Sequence, residues 1–246
     1  MNPEVYEEMA AMQARHWWFV GRRRILSEII AQLPLPPRAE ILEIGCGTGG
    51  NLAMLAAFGQ VRAMEYDQRA CAMARELTGM EIATGGLPEP VPFPDGAFDL
   101  VCLLDVLEHI EDDRAALARA ARLLKPDGRL LVTVPAYGWL WSGHDTAHHH
   151  VRRYTATSLR RCCQRAGLTV RRLGYCNTLL FPLIAAIRLA GRLAGRGGRQ
   201  ASDLHLPPAW LNRLLTAIFG LERHLARRCL LPWGTSVVAV LAPPAA

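Results

Sequence analysis

The stretch ILEIGCGTGGN, residues 41–51, decides the fold of this chain. Residues 41–44 form a short apolar run, which predicts a buried parallel strand. The glycine-rich segment 45–49 predicts a tight turn, and the apolar pattern that follows Asn51 predicts a helix. A strand, a glycine turn and a helix in this order let a ligand approach bare backbone at the N-terminus of a helix.

The glycines alone are compatible with more than one ligand. Gly45, Gly47 and Gly50 satisfy G-x-G-x-x-G, a pattern found at dinucleotide sites. Glu43, however, lies inside the strand, two residues before the first glycine. Its carboxylate would repel a pyrophosphate but attract a ligand that carries an ammonium and a sulfonium. The acid therefore favours the second kind of ligand.

Three motifs carry a family resemblance. The order Glu-x-Gly-x-Gly-x-Gly at 43–49 resembles motif I of class I S-adenosylmethionine (SAM) methyltransferases. The segments VPFPDGAFD at 91–99 and LLDVLEH at 103–109 resemble the methyltransferases of the ubiquinone-biosynthesis type. The resemblance covers roughly residues 39–173, and it implies transfer of a methyl group from SAM to a small molecule.

The resemblance implies SAM as the cofactor and S-adenosylhomocysteine as its product. Glu65 follows the glycine turn by about twenty residues, where a carboxylate can accept hydrogen bonds from both ribose hydroxyls. Many relatives carry an aspartate after the third strand, where this chain has Gly85 and Gly86, so adenine is expected to be bound by backbone or by shape. The predicted cofactor-binding residues are Glu43, Gly45, Cys46, Gly47, Thr48, Gly49, Glu65, Tyr66, Gly86, Leu87, Leu104, Trp17 and Arg23.

Alternating apolar runs and helical patterns predict a doubly wound, seven-stranded α/β sheet of the Rossmann-like methyltransferase type. In that fold the last two strands form an antiparallel pair at the edge of the sheet. Residues 1–37 are predicted to form a helical cap and residues 38–246 the methyltransferase domain. Two amphipathic helices predict a helical insertion, residues 176–233, before the last strand.

The N-terminal segment is dense in large side chains. His-Trp-Trp-Phe at 16–19, together with His-x-Arg-Arg-Tyr at 150–154, resembles a bacterial methyltransferase group of poorly assigned substrate. Residues 1–24 are predicted to be helical. One interpretation is a lid over the cofactor, in which Trp17 covers it and Arg23 meets its carboxylate. The alternative is a helix that packs on the core through its aromatic side chains.

Aromatic, imidazole and guanidinium groups crowd the loop after the fifth predicted strand, at the edge of the sheet where ligands bind. The predicted catalytic residues are His144, Asp145, His150 and His109, with His144 paired to Asp145 as the first choice of base. The predicted substrate-binding residues are Trp141, Arg152, Arg153 and Tyr154. A solvated loop, and a structural role for Glu108 and His109, remain alternatives. A metal site is a third alternative for this loop, but no metal ligand is assigned, because three adjacent histidines cannot all point at one ion from regular backbone and Asp145 alone adds a weak carboxylate.

Composition narrows the class of protein. The net charge is +6, but no basic run is interleaved with aromatic residues, so no nucleic-acid partner is expected. Seven cysteines without a C-x-x-C pair predict a reduced, cytoplasmic protein without structural zinc. The acidic N-terminus predicts no signal peptide, and no apolar run has membrane-spanning length. The two arginine-bearing amphipathic helices could roof the site, pair two subunits or lie on the inner face of a membrane.

The functional prediction is a SAM-dependent methyltransferase, either monomer or homodimer, acting on an anionic or lipid-linked small molecule. Two other classes stay open: an NAD-linked oxidoreductase and a non-catalytic SAM-binding module.

Overall fold

A computed structural model describes residues 3–193, 205–227 and 230–244. Seven strands form one sheet: β1 Ala39–Ile44, β2 Gly59–Glu65, β3 Ile82–Thr84, β4 Phe98–Leu104, β5 Leu124–Pro135, β6 Thr169–Cys176 and β7 Ser236–Ala242. The α-helices are α1 Pro3–Met12, α2 Trp17–Ile30, α3 Leu52–Leu55, α4 Gln68–Thr78, α5 Asp113–Arg122, α6 Gly143–Ala147, α7 Ala156–Arg165, α8 Phe181–Leu193 and α9 Ala209–Ala226. None of these helices combines the length and apolarity needed to cross a membrane.

The order of strands in the sheet is β3-β2-β1-β4-β5-β7-β6. Strands β1 to β5 run parallel, and β7 runs antiparallel to both β5 and β6. The predicted fold class and the antiparallel pair at the edge are confirmed. The chain leaves β1 towards β2 and later returns on the other side to β4, so the switch point of the sheet lies between β1 and β4.

The sheet is buried on both faces, and most residues of its central strands are apolar. Every residue of β7 is buried, and β-branched valines at 237, 238 and 240 suit a pleated strand covered on both sides. One face packs around Leu103, Leu117 and Val132 under α5 and α7. The other face packs around Ile25 and Ile29 of α2. These two layers hold the carboxyl ends of the parallel strands in place at one edge.

The N-terminal segment is helical as predicted, but it forms two helices, α1 and α2, instead of one. The chain turns after α1, and His16 adopts extended backbone with φ −66° and ψ 133°. The His16 Nδ1 atom accepts a hydrogen bond from the Trp18 backbone N–H at 3.3 Å and so caps the N-terminus of α2. Residues 1 and 2 lie outside the described part of the chain.

Helix α9, within the predicted insertion, packs on α2. A side chain at Gly21 would lie 2.4 Å from the Phe219 ring, so only glycine lets the two helices approach this closely. The Asn212 Oδ1 atom accepts a hydrogen bond from the Trp17 N–H at 2.9 Å, and Arg227 pairs with Glu28 at 2.8 Å. Parts of the predicted insertion, residues 194–204 and 228–229, lie outside the described residues.

Candidate active site

One cavity of about 940 Å³ opens at the carboxyl ends of β1, β2, β4 and β5. The glycine turn forms one end of it, and the imidazole groups of α6 and its flanking loop form the other. Helices α1 and α2 cover one side, and helix α8 covers another. The glycine turn, the N-terminal segment, the loop after β5 and the predicted insertion therefore all contribute residues to the wall of this cavity.

The glycine turn exposes backbone because its residues adopt left-handed conformations. Gly45 has φ +72°, and a side chain there would lie 2.5 Å from Val106. Gly47 has φ +55°, and its N–H donates to the Glu65 Oε2 atom at 2.8 Å. The turn is thus tied to the end of β2, and a ligand can lie directly against it.

Glu65 presents a fixed carboxylate to the cavity. It is buried at the end of β2, it lines the cavity, and its Oε1 atom accepts hydrogen bonds from the N–H groups of Tyr66 and Asp67 at 2.9 and 3.0 Å. These donors fix the carboxylate, and Oε2, which accepts one bond from the Gly47 N–H, retains a lone pair for a hydroxyl group. The apolar side chains of Leu87 and Leu104 line the same end of the cavity. A ribose on Glu65 and an adenine beside these leucines fit the residues present.

Glu43 lies behind the turn and off the cavity wall. It is fully buried, and its Oε1 atom accepts a hydrogen bond from Asn51 Nδ2 at 2.8 Å. Its Oε2 atom has no hydrogen-bond partner among the described residues. Burial raises the pKa of this carboxyl to about 7, against the smaller lowering effects of Asn51 and Arg22. Glu43 therefore acts on a ligand only through its charge.

Helix α1 and the following turn contact the glycine segment directly. The Thr48 hydroxyl donates to Gln13 Oε1 at 2.8 Å, and Arg23 Nη2 donates to the Gln13 carbonyl at 2.6 Å. Arg23 is half-buried and lines the cavity, as does Trp17, which also packs edge-on against Phe219. Both sequence interpretations thus describe part of the arrangement, since the segment covers the cavity and packs on the core.

Arg22 joins the N-terminal helices to the end of β4. Its Nη2 atom lies 2.8 Å from Asp105 Oδ2 and 2.8 Å from Thr133 Oγ1. The Thr133 hydroxyl in turn donates to Asp105 Oδ1 at 2.9 Å. Asp105 has φ 61°, so this ion pair holds a left-handed residue at the mouth of the cavity. Arg22 is therefore paired with a protein carboxylate.

At the opposite end, Asp145 organises the loop. It is fully buried and accepts two hydrogen bonds from Arg153, at 2.7 and 2.8 Å, and one from the Ser142 N–H at 2.8 Å. The His150 Nδ1 atom lies 2.8 Å from Asp145 Oδ1. Burial alone would raise the pKa of Asp145, but the hydrogen bonds from His150 and Arg153 outweigh it and lower the pKa below its usual range. The partner of Asp145 is thus His150, and the predicted pairing with His144 is wrong.

Four imidazoles share this end of the cavity. The rings of His144 and His148 lie 3.9 Å apart, and those of His109 and His150 lie 4.8 Å apart at nearly a right angle. Burial, and then the neighbouring His150, lowers the pKa of both His109 and His144 to about 3. These two rings are therefore neutral at physiological pH, and each keeps a nitrogen lone pair.

Arg152 and Tyr154 lie away from the cavity. Arg152 Nη1 contacts Asp113 Oδ2 at 2.9 Å, and the Tyr154 hydroxyl donates to the same oxygen at 2.8 Å. Tyr154 is buried against the core and also bridges to β5 through its backbone. Both side chains therefore anchor the loop to α5, and the geometry gives no support to their predicted role in substrate binding.

Most of the other predicted site residues line the cavity. Those on its wall are Gly45, Cys46, Gly47, Thr48, Glu65, Tyr66, Gly86, Leu87, Leu104, Trp17, Arg23, His109, Trp141, His144, His150 and Arg153. Glu43, Gly49 and Asp145 lie behind it. The structure adds Gln13, Asp105, Glu108 and Arg192 to the cavity wall, and the sequence analysis named none of these four as a site residue. Asp105 and Glu108 belong to the LLDVLEH motif, which was a signal, whereas Gln13 and Arg192 lie far in sequence from any motif and left no local signal.

Comparison with known proteins agrees with this geometry. A probable SAM-dependent methyltransferase of Mycobacterium tuberculosis is 30% identical over 60% of this chain and 54% of its own length. Trans-aconitate 2-methyltransferase of Deinococcus radiodurans is 32% identical over 63% of this chain and 55% of its own. The chain thus spans about half of the length of the curated relatives it matches.

A solved structure shares the fold across both flanks. The TehB-like SAM-dependent methyltransferase of Corynebacterium glutamicum superposes with a TM-score of 0.52 at 18% identity, covering 88% of this chain and 87% of that one. A family model described as a methyltransferase domain matches residues 16–173, which is more than half of the chain. The glycine turn and the order of the strands in the sheet are consistent with that match. The chain therefore belongs to the methyltransferase-domain family, whose members and fold imply SAM as the cofactor.

Proposed function

We propose that this protein transfers the methyl group of SAM to a small molecule that carries an anionic group on an apolar body, such as a lipid-linked metabolite. The observation that carries this proposal is one continuous cavity of about 940 Å³. It joins the glycine turn to a second compartment of different chemistry, and its size lies at the upper end of ligand sites. There is room for an acceptor beside the cofactor.

Bound SAM would supply the methyl group as a sulfonium, and this chain would supply orientation, a dry cavity and activation of the acceptor. His150 is the residue best placed for the last task. Because Asp145 is ionised, the His150 Nδ1 atom donates its proton to that carboxylate. The other nitrogen, Nε2, then keeps a lone pair on the side of Glu108, and His150 lines the cavity. We infer that the acceptor's reacting group binds beside this atom.

Helix α8 supports the apolar and anionic parts of the acceptor. Ile184 and Ile187 line the cavity, and Ile187 is largely exposed. Arg188 and Arg192 lie one turn apart on the same helix, and both also line it. Arg188 donates to the Leu140 carbonyl, and Arg192 Nη2 donates to the carbonyl of Trp141 at 2.9 Å. We therefore propose that Arg188 and Arg192, instead of Arg152 and Arg153, bind the anionic group of the acceptor.

The acceptor class is tested by methyl transfer from labelled SAM to two matched probes. One is a prenyl-phosphate-linked hexose, and the other is the same hexose as a neutral prenyl glycoside. We expect transfer to the charged probe. Arg192→Gln should raise its KM about tenfold, which corresponds to about 1.4 kcal/mol. Arg161→Gln, on the exposed side of α7, is the matched control and should leave KM unchanged.

Preference for the neutral probe would refute the anionic acceptor. SAM binding without transfer to any acceptor would instead favour the non-catalytic SAM-binding module. The NAD-linked alternative is set aside, because family and fold imply SAM.

A further inference from the structure

Three donor groups from two separate segments meet at the acceptor end of the cavity. Glu108 and His109 belong to a 3₁₀ turn, Leu107–His109, that follows β4, and His150 follows α6. One ligand atom from each lies within 4.8 Å of the other two. All three residues line the cavity. The sequence argument against a metal considered the adjacent histidines 148–150 with Asp145, and it did not combine a histidine of this loop with the residues that follow β4.

Glu108 is a buried carboxylate that lacks a protein partner. Its exposed fraction is zero, and neither side-chain oxygen has a hydrogen-bond partner among the described residues. The His150 Nε2 atom is 4.0 Å from Glu108 Oε1, too far for a hydrogen bond. Burying a carboxyl group without any hydrogen-bond partner is costly, and buried carboxylates in proteins are paired or coordinate metals. The position of Glu108 therefore suits a ligand of a cation.

His150 is oriented as metal-binding histidines are. Its Nδ1 atom contacts the Asp145 carboxylate, which is itself held by Arg153 and by the backbone of Ser142. A histidine that binds a metal through one ring nitrogen usually donates the N–H of the other ring nitrogen to such a carboxylate. This hydrogen bond fixes the tautomer and the ring orientation. The arrangement leaves Nε2 to act as a ligand on the side of Glu108.

We propose that Glu108, His109 and His150 bind one first-row divalent transition-metal ion, with Zn²⁺ as the first choice. Two imidazoles and one carboxylate form a common ligand set for catalytic zinc and for non-haem iron, and both leave coordination positions open. Ligands at about 2.1 Å from an ion lie at most about 4.2 Å apart. Side-chain rotations that bring the ligand atoms at least about 0.6 Å closer would close the widest observed spacing of 4.8 Å.

The inference deepens the proposed function and rests on it in one respect, namely that the acceptor's reacting group lies beside His150. An ion held there faces the cavity and can bind an acceptor oxygen. It would lower the pKa of an acceptor hydroxyl, whose proton leaves to water, while the oxygen becomes a better nucleophile. His150 Nε2 would thus be a ligand of the ion, and the ion would activate the acceptor.

Metal binding is measured without acceptor or SAM. The full-length protein is stripped with a chelator and titrated with Zn²⁺ against a chromogenic competitor, and Co²⁺ then serves as a spectroscopic probe. We expect one tight site per chain and a Co²⁺ spectrum of nitrogen and oxygen ligands. Glu108→Gln should weaken binding by on the order of 10–100-fold or more. Because glutamine has the same shape as glutamate and no partner is lost, the variant should fold, with an unchanged Tm.

His224→Gln, which removes an exposed imidazole on α9, is the control for adventitious binding and should leave the affinity unchanged. Equal affinity in wild type and Glu108→Gln, or a thiolate-to-cobalt charge-transfer band, would overturn the proposed site. A Zn²⁺ site that depends on Glu108 in a protein inactive towards every acceptor would support the site and refute the proposed function.

Discussion

The buried carboxyl of Glu43 predicts a stability that depends on pH in a defined direction. Burial raises its pKa from 4.5 to about 7 in the folded chain. Between these values the folded state holds a proton that the unfolded state has lost, so stability falls as pH rises from about 4.5 to 7. Each pKa unit corresponds to about 1.4 kcal/mol. Above pH 7, ionised Glu43 therefore lowers the free energy of unfolding by about 3 kcal/mol.

Glu43→Gln removes this titration and keeps the acceptor oxygen for Asn51. According to the linkage relation, the titration of Glu43 destabilises the folded chain by about 1 kcal/mol at pH 5 and by about 3 kcal/mol at pH 8. The free energy of unfolding of the variant, relative to wild type, should therefore increase by about 2 kcal/mol between these two pH values. A constant penalty from the buried amide would shift both values equally and would not alter this difference.

The assay is urea unfolding of both proteins at pH 5, 6, 7 and 8, followed by circular dichroism. Glu40→Gln, on the same strand, removes only a half-exposed pair with Arg62 at 3.8 Å. That control should change stability by less than about 1 kcal/mol. If wild type and Glu43→Gln give parallel stability curves over this pH range, Glu43 is not a buried carboxyl with a raised pKa, and the reasoning fails.

Four other outcomes follow from the geometry. Glu65→Ala should weaken SAM binding by about 1.5–3 kcal/mol in calorimetry, and unchanged affinity would remove the ribose assignment. Gly21→Ala should destabilise the fold by about 1–3 kcal/mol, because the added methyl group would overlap the Phe219 ring. Gly191→Ala has open space around the added methyl group and should stabilise helix α8 by about 0.5–1 kcal/mol. Thermal unfolding compares the two variants. Hydrogen exchange over residues 3–30 should slow when S-adenosylhomocysteine binds, and an unaffected segment would leave it a purely structural role. The peripheral membrane contact of α8 and α9 stays a prediction, which flotation with anionic liposomes at low salt would test; protein found only in the unbound fraction would contradict it.

The N-terminal helices show what the spacing of apolar residues can predict and what it cannot. Apolar spacing identified helical structure, but it could not show that His16 turns back to cap a second helix. Nor could it show that the segment both covers the cavity and packs on α9. Those contacts join parts of the chain about 35 and 195 residues apart.

The loop after β5 shows the same limit in the site. The residue types were recognised, but their partners were assigned by nearness in sequence, which favoured His144 for Asp145. The left-handed backbone of His149, at φ 55°, brings the next imidazole to Asp145. Arg152 turns to Asp113 on α5. Which of several similar side chains faces a ligand depends on backbone direction, which residue type does not encode.

The sequence by itself determined the class of fold, the antiparallel pair of strands at the edge of the sheet and SAM as the cofactor. Strand periodicity, a glycine-rich turn and an acid at the end of the next strand are local features, and local chemistry specifies them. Only the tertiary structure decided the end of the cavity opposite the glycine turn, because its groups follow β4, lie on or after α6 and lie on α8, and they meet through packing. It also decided that Glu108 lies beside His150, since a contact between distant segments has no signature in either segment alone.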